Sequence, residues 1–281
     1  MTKNDIGVSN CFEATSHPME RHTEILDFLC ERETASVGEL ADRFGVSRMT
    51  IHRDISRLVD LRFVRKVRGG VTVLPSVVFE SNYHYRARHR FAAKQALARR
   101  VAALIEPGMT VMLDDSSTTA ALLEFLPERQ PLTVISNAAS LVEALRYDEG
   151  YTVICLGGRF DPTMNAYLGV TCDLALERLS ADLAVFSVAG VQRGCGYLQD
   201  DALVRTKRIM KASADRSVLA FDSSKFGKSA LHQFARLSDF DHVLTTPGGE
   251  PAVLDELMSA GVALDVVAGE LETSDITAAS S

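Results

Sequence analysis

One segment constrains the fold of this chain more than any other. Apolar side chains fall at Val37, Leu40, Ala41 and Phe44, then at Ile51, Ile55 and Leu58, with Gly45-Val46-Ser47 between the two runs. Spacings of three, four and seven residues predict two short amphipathic helices. Ser36 is placed to cap the first, with Glu39 three residues on as its capping-box partner. Gly45 suits the tight turn that stops this helix, and Ser47 is a ready N-cap for the next. Ile25, Leu26 and Leu29 mark an earlier helix. Phe63–Val67 mixes apolar and basic residues and reads as a strand, Arg68-Gly69-Gly70 turns, and Val71–Leu74 returns as a second strand. Three helices followed by a hairpin have the order of a helix-turn-helix with a β-wing behind it.

Charge gives that module a partner. The whole chain carries a formal charge of −7, which excludes a molecule that binds nucleic acid through its overall charge. From Arg43 to Thr72, however, eight Lys or Arg residues face only Asp54 and Asp60, so 8 − 2 = +6. On the second helix of the pair, Thr50, Arg53 and Arg57 share the polar face, with Ser47, Arg48, Met49 and His52 near its leading turn. These are residue types that read base edges or grip phosphates in a major groove. In the wing, Arg65, Lys66, Arg68, Gly69 and Gly70 are candidates for the phosphate backbone. Double-stranded DNA is the expected partner.

The rest of the chain differs in kind. Apolar residues make up 46% of the sequence, enough for an ordinary core. The five cysteines are scattered without a C-x-x-C pair, which argues against a disulfide framework or a zinc site and fits a reducing cytoplasm. No apolar run reaches the ~18 residues of a membrane span. The expected divisions are a leader over 1–18, with Met19 as a second plausible start, a DNA-binding domain over 19–74, a linker over 75–90, a large domain over 91–270 and a loose tail over 271–281.

After a helix expected over Phe91–Leu104, β and α patterns alternate. Strands are expected at Thr110–Leu113, Leu132–Ile135, Thr152–Leu156, Leu183–Val188, Ser217–Phe221, His242–Thr245 and Leu264–Val267. Helices are expected at Thr119–Leu126, Ala138–Leu145, Thr171–Leu179, Ala202–Ser213 and Ala252–Ala260. Such alternation predicts an α/β domain with a mostly parallel sheet covered on both faces. Ligands on such sheets sit at the carboxyl ends of the strands. Those ends carry Asp114-Asp115-Ser116-Ser117-Thr118-Thr119, Ser136-Asn137, Gly157-Gly158-Arg159, Ala189-Gly190 and Asp222-Ser223-Ser224-Lys225. Hydroxyls and Lys225 suit phosphate, whereas Asp114, Asn137 and Asp222 suit sugar hydroxyls. The same residue types also serve as helix caps and turns, and it is their shared placement after strands that points to one pocket. Arg159, Asn165, Gln192 and Asp200 are further candidates for specificity.

Both halves resemble the DeoR family of bacterial transcriptional regulators. The first half matches at Leu40, Ala41, Phe44, Val46, Ser47, Thr50, Ile51, Arg53, Asp54, Ile55, Leu58, Gly69 and Gly70, with His52 where that family has Arg and Arg68 where it has His. The second half matches through Leu113 to Thr119, Asn137, Gly157-Gly158, Gly169, Lys207 with Met210, and Asp222 to Gly227, with Ser116 replacing the usual Gly and Ser136 the usual Thr. The resemblance implies a sensor domain related to sugar-phosphate isomerases. It adds Gly169 and Lys207 to the effector candidates, and implies a repressor of a sugar catabolic operon that answers to a phosphorylated sugar and works as a homodimer or homotetramer. The alternative is an isomerase-like enzyme with Asp114, Asp182 or Asp222 as base and Lys225 as its partner. No carboxylate pair singles out a base, so no catalytic residue, metal ligand or cofactor is expected.

Overall fold

The computed structural model describes residues 18–32, 34–60, 63–73 and 83–268. The chain forms two compact units, divided between residues 79 and 80. The leader before Pro18, the end of the wing strand at Leu74, the expected linker up to residue 82 and the tail lie outside the described residues.

The first unit holds helices α1 (Pro18–Arg32), α2 (Val37–Phe44) and α3 (Arg48–Asp60) and strands β1 (Thr34–Ala35), β2 (Val64–Val67) and β3 (Gly70–Val73). The capping box at Ser36 and Glu39 is present, and Gly45 closes α2 by returning its N–H to the Ala41 carbonyl. Ser47 caps α3 through the Thr50 amide at 3.1 Å. Ile25, Leu29, Leu40, Ile51, Ile55 and Leu58 are fully buried in this unit, and full burial of each such side chain contributes about 1.5–3 kcal/mol. Strand β1 is too short to show in the sequence pattern. It pairs with β3, which makes the wing a three-stranded sheet in the order β1-β3-β2. Gly70 permits that approach, since a Cβ there would lie 2.2 Å from the Ala35 carbonyl oxygen.

The second unit opens with α4 (Tyr83–Arg88) and α5 (Phe91–Ala102). It continues with β4 (Thr110–Leu113), α6 (Ser117–Ala120), β5 (Leu132–Ser136), α7 (Ala139–Leu145) and β6 (Tyr151–Cys155). Next come β7 (Arg159–Asp161), β8 (Ala166–Leu168), α8 (Val170–Leu176), β9 (Ala181–Phe186), β10 (Gly190–Gln192) and β11 (Cys195–Leu198). The last elements are α9 (Asp201–Ala212), β12 (Ala214–Phe221), β13 (His232–Arg236), β14 (His242–Thr245), α10 (Pro251–Ser259) and β15 (Leu264–Val266). Seven strands form one sheet in the order β15-β14-β12-β9-β4-β5-β6, and every neighbouring pair is parallel. Apolar clusters cover both faces, one around Phe186, Phe221 and Phe234, the other around Leu97, Leu113 and Val134. Chain order reverses between β4 and β9, the switch point at which open parallel sheets leave a crevice.

Two expectations need correction. The helix expected over Thr119–Leu126 is a single α turn followed by two 3-10 turns. Pro127 opens the second of these, and a residue before proline is steered away from the α conformation. The interval 83–90, expected as linker, is helical over Tyr83–Arg88 and belongs to the second unit.

Candidate functional site

In the first unit, α3 divides sharply. Ile51, Asp54, Ile55 and Leu58 are buried, whereas Arg48, Met49, His52, Arg53 and Arg57 are exposed. Arg65, Lys66, Arg68 and Gly69 of the wing are exposed as well, and Gly70 is half-buried. Ser47 and Thr50 are occupied locally, with their hydroxyls 2.9 Å apart. Asp54 does not offset the charge of this surface. It turns inward, accepting from Arg21 Nε at 2.7 Å and Nη2 at 3.2 Å, with His22 Nε2 at 3.0 Å. Arg43 is likewise diverted, its guanidinium 4.6 Å from the centre of the Phe28 ring. The exposed side of α3 and the wing therefore carries Arg48, Arg53, Arg57, Arg65, Lys66 and Arg68, with Asp60 at the end of α3 as the one exposed carboxylate among the described residues of these elements.

In the second unit, the residues after β4 and β9 are tied together at the switch point. Asp114 is fully buried. It accepts from Ser116 N at 2.9 Å, Ser187 N at 2.9 Å and Lys207 Nζ at 2.7 Å. Lys207, projecting from α9, also donates to the Ser187 carbonyl at 3.1 Å and lies 3.3 Å from Asp115. Burial alone drives both charges towards neutrality. Their mutual attraction outweighs it, so the Asp114 carboxyl is held below its usual range and the Lys207 ammonium above its own.

Lys207 lines a cavity of about 120 Å³. Ser116, Ser117, Thr118, Asp222 and Lys225 line it too, as the strand-end reading expects. Six basic side chains, Arg86, Arg90, Lys94, Lys207, Lys225 and Lys228, face this space against two carboxylates, Asp115 and Asp222. Four of the six are additions to the sequence reading. Arg86, Arg90 and Lys94 come from α4 and α5 and their junction, and Lys228 follows β12. The signal available for the first group was the run Arg86, Arg88, His89, Arg90, read as irregular linker.

Lys94 is buried and donates to the carbonyls of Arg86 and His89, the latter at 2.8 Å. Burial and the neighbouring Arg86 lower its pKa to about 7. Arg90 Nε lies 3.5 Å from Asp222, whose carboxyl is held below its usual range by Ser224, Lys225 and Arg90 against the opposing effect of burial. Arg86, Asp115 and Gln199 line the cavity, and Arg86 Nε, Asp115 Oδ1 and Gln199 Oε1 are buried without a hydrogen-bond partner among the described residues. One unmet donor and two unmet acceptors suit a ligand carrying both polarities.

The other expected effector residues lie outside this cavity. Thr119 is used within its own turn, its amide and hydroxyl bonded to Ser116. Asn137 instead binds the Tyr167 carbonyl and steadies the β7–β8 hairpin, whose Met164 forms part of the cavity wall. Gly157 and Gly158 turn the chain from β6 into that hairpin, and a Cβ on Gly158 would meet the Leu168 carbonyl oxygen at 2.7 Å. Gly169 caps α8. Arg159 pairs with Asp161, Asn165 sits in the hairpin turn, Gln192 lines a different depression and Asp200 caps α9.

A catalytic base finds no support here. Asp114 is locked by its donors, Asp182 accepts the Thr110 amide at 2.7 Å, and Asp222 is stabilised as the anion. A base poised for proton abstraction at neutral pH is tuned in the opposite direction. No group of His, Cys, Asp and Glu suited to a metal ion occurs among the described residues, nor is any of their helices long and apolar enough to cross a membrane.

Residues 21–77 match the DeoR-like helix-turn-helix domain, and residues 89–246 match the DeoR C terminal sensor domain. Among similar proteins, the HTH-type transcriptional regulator YgbI of Escherichia coli strain K12 is 30% identical over 90% of this chain and 99% of its own length. The transcriptional repressor AccR of Agrobacterium fabrum is 29% identical over 82% of this chain and 90% of its own. The glycerol-3-phosphate regulon repressor of Escherichia coli strain K12 is 26% identical over 88% of this chain and 98% of its own. A ribose 5-phosphate isomerase from Methanocaldococcus jannaschii shares 18% identity over 47% of this chain and 53% of that one at a TM-score of 0.34, a likeness too slight to bear on function. With a helix-turn-helix unit that turns its cations outward, a sensor unit with a cavity at its switch point, and both domains matched along the chain, this protein belongs to the DeoR family of transcriptional regulators.

Proposed function

We propose that the protein represses a sugar catabolic operon, and that a small phosphorylated sugar or polyol in the sensor cavity controls its hold on operator DNA. The observation that carries this reading is the charge of the cavity, six basic side chains facing two carboxylates, with Lys207 also paired to the buried Asp114 behind it. A phosphate dianion neutralises such a cluster and gains charge-assisted hydrogen bonds from it. Gln199 Oε1 and the carboxylate of Asp115 supply acceptors for hydroxyl groups at the other end of the ligand. The cavity is small, about 120 Å³, which favours short phosphorylated compounds. The name of one relative, a glycerol-3-phosphate regulon repressor, points to a compound of that size.

In this reading the protein acts in the cytoplasm as a homo-oligomer, because two recognition helices are needed to span two half-sites. The ligand weakens DNA binding by favouring a state in which those helices no longer match the operator, which requires a difference in its affinity for the two states. Fluorescence anisotropy with DNA from upstream of the protein's own gene tests this. Specific binding that falls steeply with salt, and is released by one member of a panel of phosphorylated sugars and polyols, is expected. Indifference of the DNA complex to every phosphorylated compound, with each one also failing to raise the melting temperature, would rule the reading out.

A further inference from the structure

Resting on the DNA-binding reading above, we infer that Met49 is a specificity-determining residue that reads the C5-methyl group of a thymine in each operator half-site. The first observation is its exposure. Met49 stands 72% exposed in the first turn of α3, where a long apolar side chain gains nothing from water.

The second observation is its direction. At about 100° per residue, with Met49 as zero, the buried Ile51, Asp54, Ile55 and Leu58 fall at roughly 200°, 140°, 240° and 180°. The middle of the opposite face is therefore at roughly 10°, almost on Met49 itself. Arg53 and Ser56 flank it at roughly 40° and 340°, His52 lies at roughly 300°, and Arg48, Thr50 and Arg57 fall at the sides. Side positions of a helix seated in the major groove meet the phosphate walls, and the central position meets the base edges. Thr50 is the alternative reader of a methyl group in the sequence pattern. It is half-buried at the side of the helix, and its hydroxyl is held by Ser47.

The third step is chemical. Among the base edges of the major groove, the thymine methyl is the only apolar feature, so it is the one group that a central methionine can match. Arg53, one turn further along the same face, suits the O6 and N7 acceptors of guanine. Four residues at ~1.5 Å rise span about 6 Å, or roughly two base-pair steps. The half-site should hold a thymine within about two base pairs of the guanine contacted by Arg53.

The test begins with full-length protein and a randomised duplex library, from which the preferred operator is selected. Each thymine of that operator is then replaced singly by uracil, which removes the methyl group and keeps the base pair. Uracil at one position per half-site should weaken binding by the wild-type protein about fourfold, the worth of one buried methyl group. Met49→Ala should bind the thymine and uracil operators equally well with an unchanged salt dependence, and Met49→Leu should retain the preference. Because the side chain is exposed, neither variant disturbs the core. Wild-type binding that is indifferent to uracil at every position overturns the inference, as does discrimination that survives in Met49→Ala. Failure to select any salt-sensitive operator would instead remove the DNA-binding reading and this inference with it.

Discussion

Lys94 is a residue whose proton affinity its buried setting lowers sharply. Its pKa of about 7 in the folded protein lies below the 10.5 of a free lysine. Between those values the unfolded chain holds the extra proton, so the stability of the sensor unit should rise as pH rises from 7 towards 10. Lys94→Met should flatten that rise, as followed by thermal melting across the range. An anionic ligand stabilises the ammonium form, so binding above pH 7 should take up a proton. Affinity should then fall by up to about tenfold per pH unit, and calorimetry in buffers of different ionisation enthalpy reads the proton directly. Asp114 and Lys207 behave as one group. Removing either charge leaves the other buried, so Asp114→Asn or Lys207→Met should each cost about 3–5 kcal/mol, while the double substitution should cost less than the sum. Additive losses in urea unfolding would contradict the pairing. Little of this was legible in the sequence. Lys207 was marked only by family resemblance, and Lys94 by nothing, since its setting depends on carbonyls contributed by Arg86 and His89.

Local order governs how far each element could be read ahead of the structure. Strands β4 and β14 have the bounds expected from their apolar runs, because parallel strands buried on both faces show up as continuous apolar sequence. The capping box of α2 was equally legible, being written within four residues. The hairpin β7–β8 and the small antiparallel sheet β10-β11-β13 were not, since each strand has only three to five residues and β13 joins β11 from a distant part of the chain. In α3, Asp54 anchors the helix to α1 through Arg21, a contact between residues 33 apart. Asp54→Ala should destabilise the DNA-binding unit by about 3–5 kcal/mol, measurable by its melting. The wing acts differently. Arg65→Ala should weaken binding to every DNA sequence alike and reduce the slope of log affinity against log salt by about one, with no loss of stability. A change of sequence preference in that variant would mean that Arg65 reads bases.

For the molecule as a whole, the division of labour was visible in the charge pattern before any fold was known. A stretch of net +6 sits in a chain of net −7, and the structure turns that stretch outward on α3 and the wing. Less visible was the second concentration of positive charge, inside the sensor unit, because its members come from α4, α5, α9 and the turn after β12. In the proposed function the two are coupled, and a phosphorylated ligand in the cavity weakens the grip on DNA. Linkage makes this reciprocal, since the factor by which ligand weakens operator binding must equal the factor by which operator weakens ligand binding. The most direct measurement is therefore the dissociation constant of the releasing ligand for free protein and for protein saturated with operator. A five- to 150-fold weaker constant on the operator complex is expected, the range typical of allosteric coupling, and it should match the loss of operator affinity in saturating ligand. Equal ligand affinity with and without operator would contradict the claim, because a ligand bound equally by both states shifts neither.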